Sequence, residues 1–150
     1  MNRDLTYMRQ ALAEAEKAGQ ADEVPVGALI VDSAGRVLSR AHNRVISLAD
    51  PTAHAEILAI RDAASDTGNY RLLNTTLYVT VEPCPMCTGA MVHARIQRLV
   101  FGVADPRWGA AGSLFQLAAD QRLNHRMDVV GGVCEDECRQ LMQAFFRTRR

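Results

Sequence analysis

Apolar positions recur along the chain at two spacings, which predict helices that alternate with strands. Leu5, Met8 and Leu12 are three or four positions apart, as on one face of a helix. The run Thr76–Val81 is rich in β-branched residues, which is typical of a buried strand. The predicted helices are 5–17, 55–64, 85–94, 113–119 and 135–147. The predicted strands are 26–31, 36–42, 76–81, 98–103 and 127–131.

The order of these elements favours a layered α/β domain. Strands separated by helices of about a dozen residues indicate parallel pairing in part of one sheet. The turn at 32–35 joins the first two strands into a predicted hairpin, which makes the sheet mixed. The segment 50–52 is predicted to be a loop that contributes a capping residue to the following helix. No repeat or linker interrupts the 150 residues, so we expect a single domain over 1–150.

Composition and charge restrict the classes of protein and of partner. No stretch is long and apolar enough to span a bilayer, and the N-terminus lacks a secretory signal, so a cytoplasmic location is the default expectation. Acidic and basic side chains number 17 each, which excludes a global basic field that attracts nucleic acid. Lys17 is the only lysine, and this preference for arginine suits phosphate contacts, although a genome rich in arginine codons explains it equally well. A local cluster at Arg147, Arg149 and Arg150 can still bind a few phosphates.

Two short segments about thirty positions apart carry the candidate chemistry. They are His54-Ala55-Glu56 and Pro83-Cys84-Pro85-Met86-Cys87, both predicted at helix starts, where the helix dipole favours thiolates. One imidazole and two thiolates are three zinc ligands, and the open fourth position is typical of catalytic zinc. Zinc lowers the pKa of a water held there to about 7. Glu56 is close enough in sequence to carry its proton without ligating the metal.

Other interpretations of the cysteines remain open at this point. A C-x-x-C pair alone also fits a structural zinc site or a redox dithiol, and a lone histidine is usually structural. The joint presence of His54, Glu56 and Pro83 beside the pair favours catalysis. Cys134 and Cys138 have helical spacing but no histidine at ligand spacing, so we expect one or both to be buried as small apolar residues.

Segments in order over nearly the whole chain carry a resemblance to a known family. The pattern H-x-E followed by P-C-x-x-C is the established signature of zinc nucleobase deaminases, so this match is recognised rather than derived. The surrounding residues resemble the bacterial tRNA adenosine deaminases. The matching segments are 50–57, 69–72, 76–80, 82–87, 89–91, 100–102, 109–113, 124–125 and 145–147.

The resemblance implies a fold, an activity and a set of site residues. The fold is cytidine-deaminase-like: three-layer α/β/α, with a mixed five-stranded sheet flanked by helices. The activity is deamination of adenosine to inosine at the wobble position of a tRNA anticodon, by a homodimer with one zinc ion per subunit. His54, Cys84 and Cys87 are the implied zinc ligands, and Glu56 is the implied proton carrier. Asn43 matches the asparagine that hydrogen-bonds the flipped base, although it fits a turn or strand-end cap as well.

The same resemblance marks candidate contacts to RNA. Asp105 matches a family residue at the nucleic-acid edge, where a carboxylate can bond a ribose 2′-OH, but its Asp-Pro sequence also fits a turn. Arg107, Arg147 and Arg149 are candidate phosphate contacts or solvated surface charges. Trp108 departs from the family, in which a small or polar residue is more usual. Its indole can stack on an unpaired base or cover a dimer contact.

Three other functions compete with this one. A deaminase of a free base or nucleoside, such as guanine or cytosine, needs the same metal set. A nucleic-acid-binding module with a structural zinc needs no proton carrier at Glu56. A thiol–disulfide enzyme needs a reactive Cys84–Cys87 pair, against which the two prolines, the distant histidine and the adjacent glutamate argue.

Overall fold

A five-stranded sheet runs through the computed structural model, which describes residues 3–149. The strands are β1 (Gly27–Val31), β2 (Val37–His42), β3 (Thr76–Val81), β4 (Arg98–Val103) and β5 (Asp128–Val130). The helices of the described chain are α1 (Arg3–Gln20), α2 (Ala55–Thr67), α3 (Pro85–Ala94) and α4 (Glu135–Arg147). Every predicted element but one is present, with its ends shifted by at most three residues.

Helices cover both faces of the sheet, and burial shows which helix lies on which face. Ala28 and Ile30 pack in one core cluster with α2 and α3, whereas Leu29 and Val31 pack in a second cluster with α1 and α4. The alternation follows from the strand pleat, which points successive side chains to opposite faces. β1 pairs antiparallel with β2 and β3, and β4 pairs in parallel with β3 and β5. The predicted three-layer α/β/α fold with a mixed sheet is confirmed.

The strand directions bring distant segments to one edge of the sheet. β2, β3 and β4 run the same way because β1 is antiparallel to both of its neighbours. Their carboxyl ends therefore meet, and they are followed by Asn43, Cys84 and Asp105 respectively. The N-terminus of α2 joins them, because Asn43 Oδ1 accepts a hydrogen bond from the Ala55 N–H at 2.8 Å. The topology thus assembles candidate residues that lie far apart along the chain.

The cap of α2 differs from the prediction. The N-cap is His54, whose side chain makes no capping hydrogen bond. Asp50 is used inside its own loop, where Oδ1 accepts the N–H of Thr52 at 2.8 Å and its hydroxyl at 2.7 Å. The expectation of a cap from 50–52 is therefore wrong, and Asn43 takes that role from the end of β2. This arrangement leaves the His54 imidazole available for other partners.

The predicted helix over 113–119 is wrong. The segment is an irregular loop with one isolated bridge, between Ala111 and Gln116. The buried Glu82 carboxylate accepts the N–H groups of Ala111 and Ser113, each at 3.0 Å. Gly112 has φ +132°, a conformation that is far from helical and that side chains rarely adopt. Contacts with a distant carboxylate thus override the local helical spacing.

Three predictions concern regions away from this edge. Cys138 is buried against β4, as expected for a small apolar residue, and Cys134 is half-buried. No helix within residues 3–149 is long and apolar enough to cross a membrane. Arg150, the last member of the arginine cluster, lies outside the described residues.

Candidate active site

His54, Cys84 and Cys87 point three donor atoms toward a common centre. His54 Nδ1 lies 3.7 Å from Cys84 Sγ and 3.5 Å from Cys87 Sγ, and the three donors lie within 4.8 Å of one another. Tetrahedral zinc, with bonds of about 2.0 Å to nitrogen and about 2.3 Å to sulfur, holds such donors about 3.6 Å apart. These side chains therefore fit a zinc ion. Among residues 3–149, no other group of three or more such side chains can hold a metal.

Two helix starts position these donors. His54 is the N-cap of α2 and Cys84 is the N-cap of α3, each with an extended backbone before the first turn. Pro85 begins α3, where its missing N–H breaks no hydrogen bond. Cys87 lies one turn further along, which returns its sulfur to the side of Cys84. The prediction that both ligand segments enter helices is confirmed, and the positive ends of the two helix dipoles favour thiolates here.

The two thiols differ in acidity because they contact each other. The hydrogen bond with Cys87, together with that to His54, lowers the pKa of Cys84 to about 4. The same contact with Cys84, aided by burial, raises the pKa of Cys87. The contact with Cys84 is also the main reason that the pKa of His54 is raised. A thiolate is already favoured at Cys84, and a divalent cation binds cysteine in that form.

Glu56 lies in the first turn of α2, two residues after His54, and is only 4% exposed. Burial raises the pKa of its carboxyl to about 7, although the neighbouring imidazole offsets part of the shift. A carboxyl that titrates near neutral pH can both accept and return a proton there. The structure thus places a carboxyl that is suited to proton transfer beside the three-donor group.

One cavity connects this group to the surface. Its volume is about 1080 Å³, and His54, Glu56 and Cys84 lie in its wall. Sites for single small ligands usually have volumes of about 300–1,000 Å³, so this cavity has room for more than a free base. Much of the remaining wall is apolar: Val24, Val26, Val45, Ile46, Val81, Met86, Trp108, Met142, Phe145 and Phe146.

Asn43 and Asp105 both line the cavity, and each also has a structural contact. Asn43 Oδ1 caps α2, while no group in the described part of the chain accepts a hydrogen bond from its Nδ2. Asp105 Oδ1 accepts the N–H groups of Arg107 at 3.0 Å and Trp108 at 3.3 Å, so it closes the turn that its Asp-Pro sequence suggests. The structural roles considered for these two residues therefore exist alongside their positions in the cavity wall.

The three candidate arginines are placed differently. Arg149 lines the cavity, where its guanidinium pairs with Asp22 at 2.5 Å and lies 4.0 Å from the centre of the Phe145 ring. Arg107 is exposed and does not line the cavity. Arg147 faces a separate groove on α4. The structure thus brings one of the three predicted phosphate contacts to the site.

Sequence reasoning missed the role of Glu82, which holds the loop beside the donor group. Its carboxylate is 3% exposed and accepts the N–H groups of Asp105, Ala111 and Ser113, each at 3.0 Å, as well as the Ser113 hydroxyl. Burial raises the pKa of this carboxyl, but the hydrogen bonds outweigh it and lower the pKa overall. Gly109 packs so closely that a Cβ there would lie 2.4 Å from the carboxylate carbon. The signal available in the sequence was that Glu82 is an acidic residue directly after a predicted buried strand.

Glu23 acts in the same way on another wall of the cavity, and it was also missed. Its carboxylate is 2% exposed and accepts the N–H groups of Ile46 at 3.1 Å and Ser47 at 2.8 Å. These bonds hold the loop 44–50 against the cavity. The two donors lie more than twenty residues further along the chain, so no local pattern indicates the contact.

The layered fold, the three-donor group and the buried carboxyl define a zinc-binding deaminase. The family model described as the cytidine and deoxycytidylate deaminase zinc-binding region matches residues 1–103, and the chain belongs to this family. More narrowly, it belongs to the tRNA-specific adenosine deaminases. It is 50% identical over 147 residues to the tRNA-specific adenosine deaminase of Haemophilus influenzae, an alignment that covers 98% of this chain and 85% of that protein. The resemblance drawn from the sequence is confirmed.

Solved structures place the fold in the same group. One, from studies of A-to-I editing by tRNA:A34 deaminases at the wobble position, has a TM-score of 0.87 and 45% identity, covering 91% of this chain and 98% of that one. The guanine deaminase of Bacillus subtilis has a TM-score of 0.66 and 36% identity, covering 75% of this chain and 71% of that one.

Proposed function

We propose that this chain hydrolyses the 6-amino group of adenosine at the wobble position of a tRNA anticodon, which forms inosine and releases ammonia. The observation that carries the proposal is the buried Glu56 carboxyl beside His54, Cys84 and Cys87 in one cavity. Family membership supports the choice of substrate. The chain, as a single domain over 1–150, is proposed to hold one zinc ion per subunit.

His54 Nδ1 and the sulfurs of Cys84 and Cys87 are the proposed zinc ligands. Zinc with an open fourth position makes water acidic enough to be a nucleophile at neutral pH. Glu56 takes one proton from the water and passes it to the ring nitrogen. It then takes the second proton from the hydroxyl now bound to the ring carbon and gives it to the departing amino group, so that the oxygen stays as a carbonyl and ammonia leaves. One carboxyl serves every transfer because all of them occur around a single carbon atom.

Asn43 and Asp105 are proposed to position the nucleotide. The Asn43 amide can donate to the flipped base from Nδ2 while its Oδ1 continues to cap α2. The Asp105 carboxylate can accept a hydrogen bond from a ribose 2′-OH, a group that distinguishes RNA from DNA. Arg149, at the cavity wall, is the best placed of the candidate phosphate contacts. Arg107 and Arg147 remain predicted contacts to phosphates that lie outside the cavity.

The substrate base must leave its stack to reach Glu56. Extrusion from a duplex costs a few kcal/mol, and less from a single-stranded loop, so the tRNA anticodon loop is a favourable partner. The cavity volume of about 1080 Å³ leaves room for neighbouring nucleotides. We also propose that the enzyme is a homodimer and that it works in the cytoplasm, where its substrate is found.

Metal content and inosine formation on an anticodon stem-loop test this proposal. Wild-type protein is expected to carry one zinc per subunit and to convert a stem-loop with adenosine at the wobble position. Glu56→Gln is expected to keep its zinc and its RNA affinity but to lose at least about 10²–10⁴-fold in turnover, the usual contribution of a proton carrier. Glu16→Gln, at an exposed position of α1, is the matched control and should be fully active. A Glu56→Gln protein as active as wild type contradicts the mechanism.

A free-base deaminase is the second candidate, favoured by the 36% identity to a guanine deaminase. Rates on the stem-loop, free adenosine, cytosine and guanine separate the two activities. If a free base is turned over faster than the stem-loop, that base and not tRNA is the substrate. Stoichiometric zinc without turnover of any of these compounds would instead favour a binding module.

A further inference from the structure

Trp108 is exposed and yet belongs to the wall of the cavity. It is the only tryptophan of the chain, and its side chain is 64% exposed. It lines the same cavity as His54 and Glu56. Nearby Phe115, 45% exposed, does not line that cavity. General surface exposure of this loop therefore does not explain where the indole lies.

The backbone around Trp108 is fixed by hydrogen bonds on both sides. Its N–H donates to Asp105 Oδ1 at 3.3 Å, and the Gly109 N–H donates to the Asp105 carbonyl oxygen at 2.8 Å. The Asp105 N–H is in turn held by the buried Glu82 carboxylate at 3.0 Å. The indole itself has no hydrogen-bond partner within residues 3–149. A large aromatic group on a fixed backbone loses little freedom when it binds a ligand.

The surroundings of Trp108 match single-stranded RNA. Arg107 is exposed, precedes it in the chain and makes no ion pair within residues 3–149, so its guanidinium is available for a phosphate, whereas Arg149 in the cavity wall is paired with Asp22. Of the acids on this side of the cavity, Asp105 accepts the N–H groups of Arg107 and Trp108, and the buried Glu82 is satisfied by four hydrogen bonds. The cavity of about 1080 Å³ also has room for a base beyond the one that reaches Glu56.

We propose that Trp108 is a stacking platform for an unpaired base next to the reactive adenosine. This inference rests on the function proposed above and names a further substrate-binding residue of the same site. Stacking of a base on an aromatic side chain tolerates any base, because every base has a π-face. Trp108 therefore strengthens the grip on single-stranded RNA without selecting its sequence.

Kinetics on the zinc-loaded protein test the first consequence. Removal of an aromatic stacking partner weakens binding by about 5- to 150-fold. Trp108→Ala is therefore expected to raise KM for the stem-loop by that factor while kcat stays within about twofold. Trp108→Phe should recover most of the loss, and Phe115→Ala is the matched control that should leave KM unchanged.

Fluorescence tests the contact directly, because the only tryptophan reports on itself. Glu56→Gln holoenzyme titrated with the stem-loop should show quenched indole emission, since stacking on a base quenches it. An abasic site at one of the two positions flanking the adenosine should abolish the quenching and raise Kd. Replacement of that base by any other base should leave the quenching and Kd unchanged.

The possible outcomes separate the inference from the function on which it rests. Wild-type protein that forms no inosine overturns the proposed function and this inference together. Normal inosine formation with an unchanged KM in Trp108→Ala overturns the stacking role alone. So does Trp108→Ala protein that loses the mass of the wild-type oligomer, because the indole then covers a subunit contact.

Discussion

Replacement of Glu82 by glutamine tests the claim that one buried carboxylate holds the loop 105–113 in place. The carboxylate accepts from the N–H groups of Asp105, Ala111 and Ser113 and from the Ser113 hydroxyl. Glutamine has the same shape but carries one oxygen instead of two. Its NH₂ group must therefore face donors that previously had an acceptor.

The expected loss can be worked out from the two possible orientations of the amide. An NH₂ at the Oε2 position faces two backbone donors, Ala111 and Ser113, and strands both. An NH₂ at the Oε1 position faces the Asp105 N–H and the Ser113 hydroxyl, which can rotate to accept. The second orientation is better and leaves one buried N–H unsatisfied, which costs about 1–3 kcal/mol. The two remaining bonds lose a charged acceptor, which costs about 1 kcal/mol each.

The total, about 3–5 kcal/mol, is a large share of the 5–15 kcal/mol typical of a domain, so the variant should fold but melt earlier. For a chain of this size it corresponds to a decrease in Tm of about 6–20 °C. Hydrogen exchange should accelerate chiefly at the amides of 105–113, and KM for the stem-loop should rise because Asp105 and Trp108 lie on this loop. Zinc content should stay unchanged.

Asp4→Asn is the matched control, because it also removes the charge of a hydrogen-bonded carboxylate, here a partly buried one. Asp4 accepts two hydrogen bonds from Arg98 and one from Tyr78, away from the cavity. This variant should lower Tm without a change in KM or in exchange of the loop. A Glu82→Gln protein with wild-type Tm, or with exchange unchanged over 105–113, would refute the argument.

The remaining predictions concern acid stability and the metal. The Arg98 guanidinium, opposed by burial and aided by the Tyr78 hydroxyl, lowers the pKa of Asp4 below its ordinary value of 3.8. The stability from this contact is therefore present above about pH 4 and lost as pH falls through the lowered pKa, so urea unfolding from pH 6 to 3 should show a shallower decline for Asp4→Asn than for wild type. Removal of zinc with a chelator should abolish inosine formation, added zinc should restore it, and thiol titration should detect two further reactive cysteines, Cys84 and Cys87. Activity that survives complete removal of zinc, or equal thiol counts with and without chelator, would contradict the assignment.

Local signals in the sequence determined the elements and the chemistry of the donor group. Apolar spacing predicts strands and helices because a helix face and a strand pleat repeat over only a few residues. Pro85 at a first helical turn and the cysteine pair one turn apart are equally local, which is why the C-x-x-C segment could be placed at a helix start. The proposed zinc ligands and the proposed proton carrier were recognisable because the pattern H-x-E followed by P-C-x-x-C is a family signature that can be read along the sequence.

Tertiary structure alone decided what surrounds that group. The segment 113–119 was predicted to be a helix but forms a loop, because the amide of Ser113 at its start and that of Ala111 just before it bond to Glu82 from about thirty residues away. The cap of α2 comes from Asn43 across the sheet edge. Arg149, two residues beyond the end of α4, lines the cavity and pairs with Asp22 there, whereas Arg147 lines a separate groove. Hydrogen bonds between a side chain and a distant backbone leave no periodic trace in the sequence, so the cavity wall emerges only when the strands bring those segments together.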